Sequence, residues 1–218
     1  MLRTLIFDWD GTLHNTRALY GGAFRAAYSW LVETGQAPAR CYTDEELSVY
    51  LGINAREMWK TFMPGLSQEM RDRASAIVGE RMVAGIKAGR AILYPGAEEA
   101  LEEIKSDGYR LVFLSNCKRA YMEAHREWFG LDRYFDGFYC CEDYDFIPKK
   151  DIFPHVAETF PGDYLMIGDR NSDLALGVAH GLKTIACAYG FGAPAEWEGA
   201  DGLARSVAEL PGLVRKLA

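Results

Sequence analysis

No apolar stretch of this chain approaches the roughly 20 residues that span a bilayer, so a membrane partner is not expected. Nor is there a block of lysine or arginine: 24 basic residues stand against 31 acidic ones, for a net charge of −7. Proteins that grip a phosphate backbone present a basic face. Nucleic acid is therefore not an expected partner, although a free nucleotide is compatible with this balance. Cysteine is sparse. Cys41, Cys117, Cys140, Cys141 and Cys187 are odd in number and lack metal-ligand spacing, and the adjacent Cys140-Cys141 pair would close only a strained bridge. Reduced thiols in a cytoplasmic protein are the expectation. Four histidines (His14, His125, His155 and His180) are scattered, and none reads as a metal ligand. Only His14 is near enough to the acidic motif at the start of the chain to touch a substrate. Internal repeats and low-complexity linkers are absent, and the first apolar run begins too early to leave room for a signal peptide.

What is present is acidic and placed at the ends of apolar runs. Leu5-Ile6-Phe7 runs into Asp8-Trp9-Asp10-Gly11-Thr12. Side chains at i and i+2 of a strand project to one side, so two carboxylates arrive together where the strand breaks. Gly11 permits a sharp turn, and Thr12 adds a hydroxyl. Paired carboxylates are costly to hold together unless a cation or a proton neutralises them, and a hard cation such as Mg²⁺ takes oxygen ligands. Alone, this stretch is equally a solvated Asp-Gly turn. A second cluster shifts the balance. Tyr164-Leu165-Met166-Ile167 ends in Gly168-Asp169, with Asp173 at the start of a helix expected from Leu174 to His180. Between the two, Arg110-Leu111-Val112-Phe113-Leu114 ends in Ser115-Asn116. Ligand sites of open parallel sheets lie outside the carboxyl ends of the strands, and three strand tips offer oxygen there.

With these residues in their order, the chain resembles the haloacid dehalogenase superfamily over nearly its whole length. Asp8-Trp9-Asp10-Gly11-Thr12 is similar to its first motif, Ser115-Asn116 to its second, and Gly168-Asp169 with Asp173 to its fourth. The resemblance implies a Rossmann-like core and a phosphoaspartyl mechanism. In it Asp8 attacks phosphorus, while Asp10 protonates the leaving oxygen and then activates water. The implied cofactor is Mg²⁺, held by Asp8, the Asp10 backbone carbonyl and Asp169, with Asp173 supporting them. Thr12, Ser115 and Asn116 are expected at the substrate. The logic is sound physically: a carboxylate is a weak nucleophile toward a phosphate dianion unless a cation bridges them, and positioned charge carries most of phosphoryl transfer. Dehalogenases of the superfamily lack an aspartate at the place of Asp10, so the resemblance implies a phosphatase acting on a small phosphorylated metabolite. A phosphomutase shares Asp10 and stands as the alternative, with a receiver-type binding module behind it.

The chain departs from the family pattern at the lysine. Relatives often read Lys-Pro-x-x-Asp-Ile-Phe, whereas here Ile147-Pro148-Lys149-Lys150-Asp151-Ile152-Phe153 puts isoleucine in the lysine's place. Lys149 or Lys150 is then expected to reach the phosphoryl group. Lys149 is favoured because it follows the rigid proline directly; solvation of both is the bland alternative.

At 218 residues the chain can hold one sizeable core and a smaller insert. The expected fold is α/β: a parallel sheet core from residues 1–15 and 90–218, with a helical bundle inserted at 16–89, which the resemblance makes a cap over the site. Helices are expected over 18–32, from the Thr43-Asp44-Glu45-Glu46 capping box to Leu51, from Asn54 to Phe62, and from Ser67 to about Lys87. Later helices are expected at 97–106, 120–129 and 152–159, with strands at 135–139 and 183–188. The Tyr189-Gly190-Phe191-Gly192 stretch reads as a connecting loop. Within the insert, the turn Gly52-Ile53-Asn54-Ala55-Arg56 would overhang the site, with Arg56 gripping a second anionic group or pairing with Glu57 or Glu45 at the surface. Phosphoglycolate would fit the former, as would sugar phosphates and nucleoside monophosphates.

Overall fold

The protein is described here from a computed structural model covering residues 3–217. Its centre is a parallel sheet of six strands in the order β3-β2-β1-β4-β5-β6. These are β1 (Thr4–Phe7), β2 (Arg110–Ser115), β3 (Gly137–Cys140), β4 (Tyr164–Gly168), β5 (Lys183–Cys187) and β6 (Gly202–Ala204). Strands buried on both faces read as continuous apolar runs. In β1, Leu5 and Phe7 face one hydrophobic cluster while Ile6 faces the other. Helices α5 (Ala97–Ser106), α6 (Arg119–Phe129) and α9 (Leu210–Leu217) cover the first face; α7 (Lys149–Thr159) and α8 (Asn171–His180) cover the second. The expected parallel α/β architecture is present. Because β1 pairs with β2 on one side and β4 on the other, the chain reverses its direction of travel across the sheet there. A crevice opens at such a point outside the carboxyl ends of the strands.

Between β1 and α5 lie α1 (Arg17–Glu33), α2 (Asp44–Ser48), α3 (Ala55–Phe62) and α4 (Gln68–Lys87). α2, α3 and α4 each begin at a side-chain cap that satisfies otherwise orphaned N–H groups. Thr43 and Glu46 form a capping box, Asn54 accepts from Glu57 N, and Ser67 accepts from Met70 N. α1 packs along α4, and α4 in turn meets α6. Phe24, Tyr28, Tyr42, Trp59 and Phe62 cluster edge-to-face and stacked, with ring centroids 4.9 to 6.3 Å apart.

Several boundaries differ from expectation for local reasons. The third strand runs over Gly137–Cys140 rather than 135–139, because Phe135 is a buried anchor at the end of the preceding 3₁₀ turn. β6 was not expected; only three residues long, beginning on a glycine and flanked by Asp201 and Arg205, it carries almost no periodic signal. α7 starts at Lys149 rather than Ile152, and α8 at Asn171 rather than Leu174, so Lys149 and Asp173 both fall in the first turn of a helix. α2 ends at Ser48, short of Leu51, and the chain continues as turns. Among the described residues no helix is long and apolar enough to cross a membrane.

Candidate active site

The tip of β1 delivers Asp8, which is buried; its Oδ1 accepts from Trp9 N at 2.7 Å and from Lys149 Nζ at 2.7 Å. Asp169 leaves the tip of the neighbouring β4. Gly11 has φ +86°, and a Cβ there would collide with the Asp169 carboxylate. Gly190 presses on Asp169 from the other side with equally little room, and the next residue, Phe191, donates its N–H to Asp169 Oδ2 at 2.6 Å. Trp197 Nε1 donates to the Asp169 carbonyl at 2.9 Å. The 189–192 stretch therefore does more than connect two elements. It clasps one of the site's carboxylates.

Carboxylate oxygens of Asp8, Asp169 and Asp173 lie within 4.8 Å of one another. Burial raises Asp8, with the charges of Asp173 and Asp10 adding to the effect and Lys149 opposing it; the net result is a pKa of about 7. Burial and the charges of Asp8 and Asp173 push Asp169 well up. Lys149 is 1% exposed and holds both Asp8 and Asp173, the latter at 2.6 Å. Burial disfavours its ammonium, yet the two aspartates outweigh that and raise its pKa. Lys150 is exposed, and its carbonyl accepts from His180 Nε2 at 2.7 Å. Of the two lysines, Lys149 is the one brought to the carboxylates. Asp173 has both oxygens engaged, Oδ1 by Lys149 and Oδ2 by Arg170 N at 3.0 Å, so it anchors the lysine and the start of α8. Asp169 Oδ1, by contrast, is buried without a protein partner. Three clustered carboxylates, two of them paired with one ammonium and the third with an orphaned acceptor, form a donor set that suits a hard divalent cation.

Asp10 turns its carboxylate away from this trio. Its Oδ1 accepts from Thr16 Oγ1 at 2.5 Å and Tyr121 OH at 2.7 Å, and lies 3.1 Å from His14 Nδ1. Burial works against the charged form, but the His14 hydrogen bond and charge, with the Thr16 hydroxyl, outweigh it and lower the Asp10 pKa. His14 is wholly buried behind Asp10 and is not among the residues lining the cavity beside it, contrary to the expectation that it would touch substrate. Its partner on the far side is His125, with Nε2 atoms 3.4 Å apart. His125 Nδ1 donates to the Tyr121 carbonyl at 3.1 Å, which makes its Nε2 the acceptor for His14. Nothing in the sequence placed Thr16, Tyr121 or His125 at the site. Tyr121 and His125 stand four residues apart on one face of α6, a visible spacing, but nothing local ties that face to Asp10.

This network bears on acid stability. Burial, aided by the His14 charge, pushes the His125 pKa from 6.5 down to about 3. Below pH 6.5 the unfolded chain takes up a proton that the folded ring refuses, so stability is full above that value and is lost as pH falls toward 3. His125→Phe should flatten that decline by up to about 1.4 kcal/mol per pH unit, read as the pH dependence of the thermal midpoint. Parallel declines in both proteins would show that the ring is protonated within the fold.

The remaining expected residues are less uniform. Ser115 is buried at the tip of β2. Thr12 is buried with its hydroxyl unpartnered, and its carbonyl accepts from Tyr189 OH at 2.7 Å. Asn116 lines the cavity beside Asp10 and donates to the Gly52 carbonyl at 3.1 Å. Arg170 also donates to this turn, at the Leu51 carbonyl. Arg56 is not brought to the site. Its guanidinium lies 4.4 Å from the Phe146 ring centroid and donates to the Asp145 carbonyl at 3.0 Å, pairing with neither Glu57 nor Glu45. The stacking face of Phe146 and the free carbonyl of Asp145, both at positive φ, offer the guanidinium a better seat than the open crevice.

The family model of the haloacid dehalogenase-like hydrolases matches residues 2–181. The chain belongs to that family. This haloacid dehalogenase-like hydrolase is an enzyme of the phosphatase kind. It is 25% identical over 202 residues to the phosphoglycolate phosphatase of Psychrobacter arcticus, covering 86% of this chain and 84% of the relative. It is 23% identical over 192 residues to the pyrophosphatase PpaX of Bacillus mycoides, again covering 86% and 84%. The crystal structure of a predicted phosphatase from Clostridium acetobutylicum superposes with a TM-score of 0.86 at 22% identity, covering the whole of both chains. That likeness extends the hydrolase's fold match beyond residue 181, through α9.

Proposed function

We propose that this hydrolase cleaves a small phosphate monoester through a phosphoryl group carried on Asp8. The observation that carries the reading is the buried contact of Lys149 Nζ with Asp8 Oδ1, 2.7 Å, beside an Asp169 with a free oxygen. A nucleophilic carboxylate must keep its charge in a dry site while a phosphate dianion approaches, and a neighbouring ammonium does both jobs. Asp8 and Asp169, with the Asp10 carbonyl, would hold Mg²⁺, which supplies neutralisation of the phosphoryl oxygens and of the clustered carboxylates. Asp8 attacks phosphorus, and Lys149 steadies the equatorial oxygens together with Ser115. Asp10 is held as a carboxylate at rest; the approaching dianion raises its pKa, so that it brings a proton to the leaving oxygen. Returned to its low pKa after the alcohol departs, it takes a proton from the water that releases phosphate. The helices of residues 16–89 act as the cap over this chemistry, and five unpaired cysteines suit a reducing compartment such as the cytoplasm.

Phosphate release from a panel of phosphorylated metabolites tests the reading. Chelation should abolish release, and Mg²⁺ should restore it far better than Ca²⁺, whose longer and looser coordination misaligns the attack. Full turnover in excess chelator would reject the metal assignment. Stoichiometric phosphate without a bisphosphate activator separates hydrolysis from phosphoryl return to a mutase product.

A further inference from the structure

The names of the relatives put phosphoglycolate and pyrophosphate forward, and both carry a second anionic group. The cavity beside Asp10 is built for something else. It leaves about 110 Å³ of free space and opens to solvent at its mouth. Asp10 and Lys118 are the only ionisable acid and base among its lining residues besides tyrosine and cysteine, and both belong to the sheet side. The opposite wall comes from α1, α3 and α4: Tyr20, Met58, Trp59, Val78 and Met82, all buried. No arginine or lysine of the helical segment lines it, and Arg56 is spent on Asp145. A desolvated carboxylate or second phosphate needs a paired cation, and the cavity's lysine, Lys118, stands on the sheet side rather than on this wall.

Two residues of this wall carry polar atoms with nothing to bind. Tyr20 OH and Trp59 Nε1 are buried without a protein partner, on residues 8% and 1% exposed. Buried polar groups are rarely left unpaired in native folds. An indole N–H can only donate, so its missing partner is an acceptor. Burial and the nearby Tyr50 raise the Tyr20 pKa, which keeps its phenol protonated and able to donate too. Two donors on an apolar, aromatic wall fit an uncharged oxygen at the far end of an apolar group.

We propose that the substrate is a phosphate monoester of a neutral, mainly apolar alcohol bearing an oxygen acceptor remote from the phosphate, with Trp59 and Tyr20 as its specificity residues. The inference rests on the phosphatase reading, because the acid that protonates the leaving oxygen must lie against the leaving group, and Asp10 lines this cavity.

The test compares phosphate release, with Mg²⁺, from benzyl phosphate, 4-acetylbenzyl phosphate, phosphoglycolate and pyrophosphate. The first three leaving alcohols are of comparable acidity, so their differences report recognition. The expected kcat/KM for 4-acetylbenzyl phosphate exceeds that for phosphoglycolate by at least about tenfold, as apolar burial and a satisfied donor predict. It also exceeds that for benzyl phosphate, and Trp59→Phe and Tyr20→Phe each bring this last ratio toward one, chiefly through KM. Either variant alone suffices if the other fails to fold. Faster turnover of phosphoglycolate or pyrophosphate than of both benzyl esters overturns the inference and leaves the phosphatase reading standing. Release from none of the four, with no phosphoryl labelling of Asp8, overturns that reading and this inference with it.

Discussion

Asp8→Asn is expected to slow phosphate release by roughly four orders of magnitude or more while the protein remains folded. The amide keeps the size and shape of the carboxylate but not the negative charge that attacks phosphorus. In the structure Asp8 already sits in a site that resists its charge, with a pKa of about 7 from burial and the neighbouring Asp173 and Asp10. Removing that charge relieves repulsion with Asp169 as it removes attraction to Lys149, so the thermal midpoint should move little. The phosphoryl label on residue 8 should vanish together with turnover. A variant that turns over at the wild-type rate would sink the covalent mechanism.

Lys149→Met should be almost as damaging, and it separates the two adjacent lysines. An ammonium in contact with the nucleophile and the transferring oxygens contributes on the order of 2–4 kcal/mol to the transition state, like a lost oxyanion donor, or roughly a hundredfold or more in rate. The same change strands Asp8 and Asp173, both buried, without their shared cation. Breaking a buried pair by deleting one partner costs about 3 kcal/mol or more, so this variant should also melt earlier in chelator. Lys150→Ala, at an exposed position whose side chain makes no bond to the carboxylates, should stay near wild type in both rate and midpoint. Equal damage from the two substitutions would mean that the lysines act through the helix start rather than through contact with Asp8.

The sheet and its site-bearing tips were legible because each strand is a short apolar run ending in a polar break. Leu5-Ile6-Phe7 into Asp8 and Met166-Ile167-Gly168 into Asp169 are signals within a few residues. Caps such as Thr43, Asn54 and Ser67 were legible for the same reason, since the capping residue lies next to the N–H groups it satisfies. What escaped depends on contacts across long stretches of chain. Tyr121 OH and Asp10 Oδ1 meet across 111 residues, and Phe191 N reaches Asp169 across 22. Arg56 was misplaced for a related reason. A guanidinium near a crevice looks available until the folded chain supplies a ring and a carbonyl, Phe146 and Asp145, in another direction. Lys149 could be favoured from its place after Pro148, but only the packing of α7 against α8 brings it between two carboxylates.

Three hydrogen bonds that fasten the helical segment to the loops above the sheet share one property. Asn116 ends on the carbonyl of Gly52, Arg170 on that of Leu51, and Arg56 on that of Asp145. A carbonyl is there whatever residue carries it. The turn can therefore exchange side chains at positions 50, 51 and 53 without surrendering its seat, and helix α3 behind it can alter Met58 or Trp59 while the fastening persists. On the proposed reading of the cavity, substrate preference and the fit between the two parts are then separately adjustable, one residue at a time.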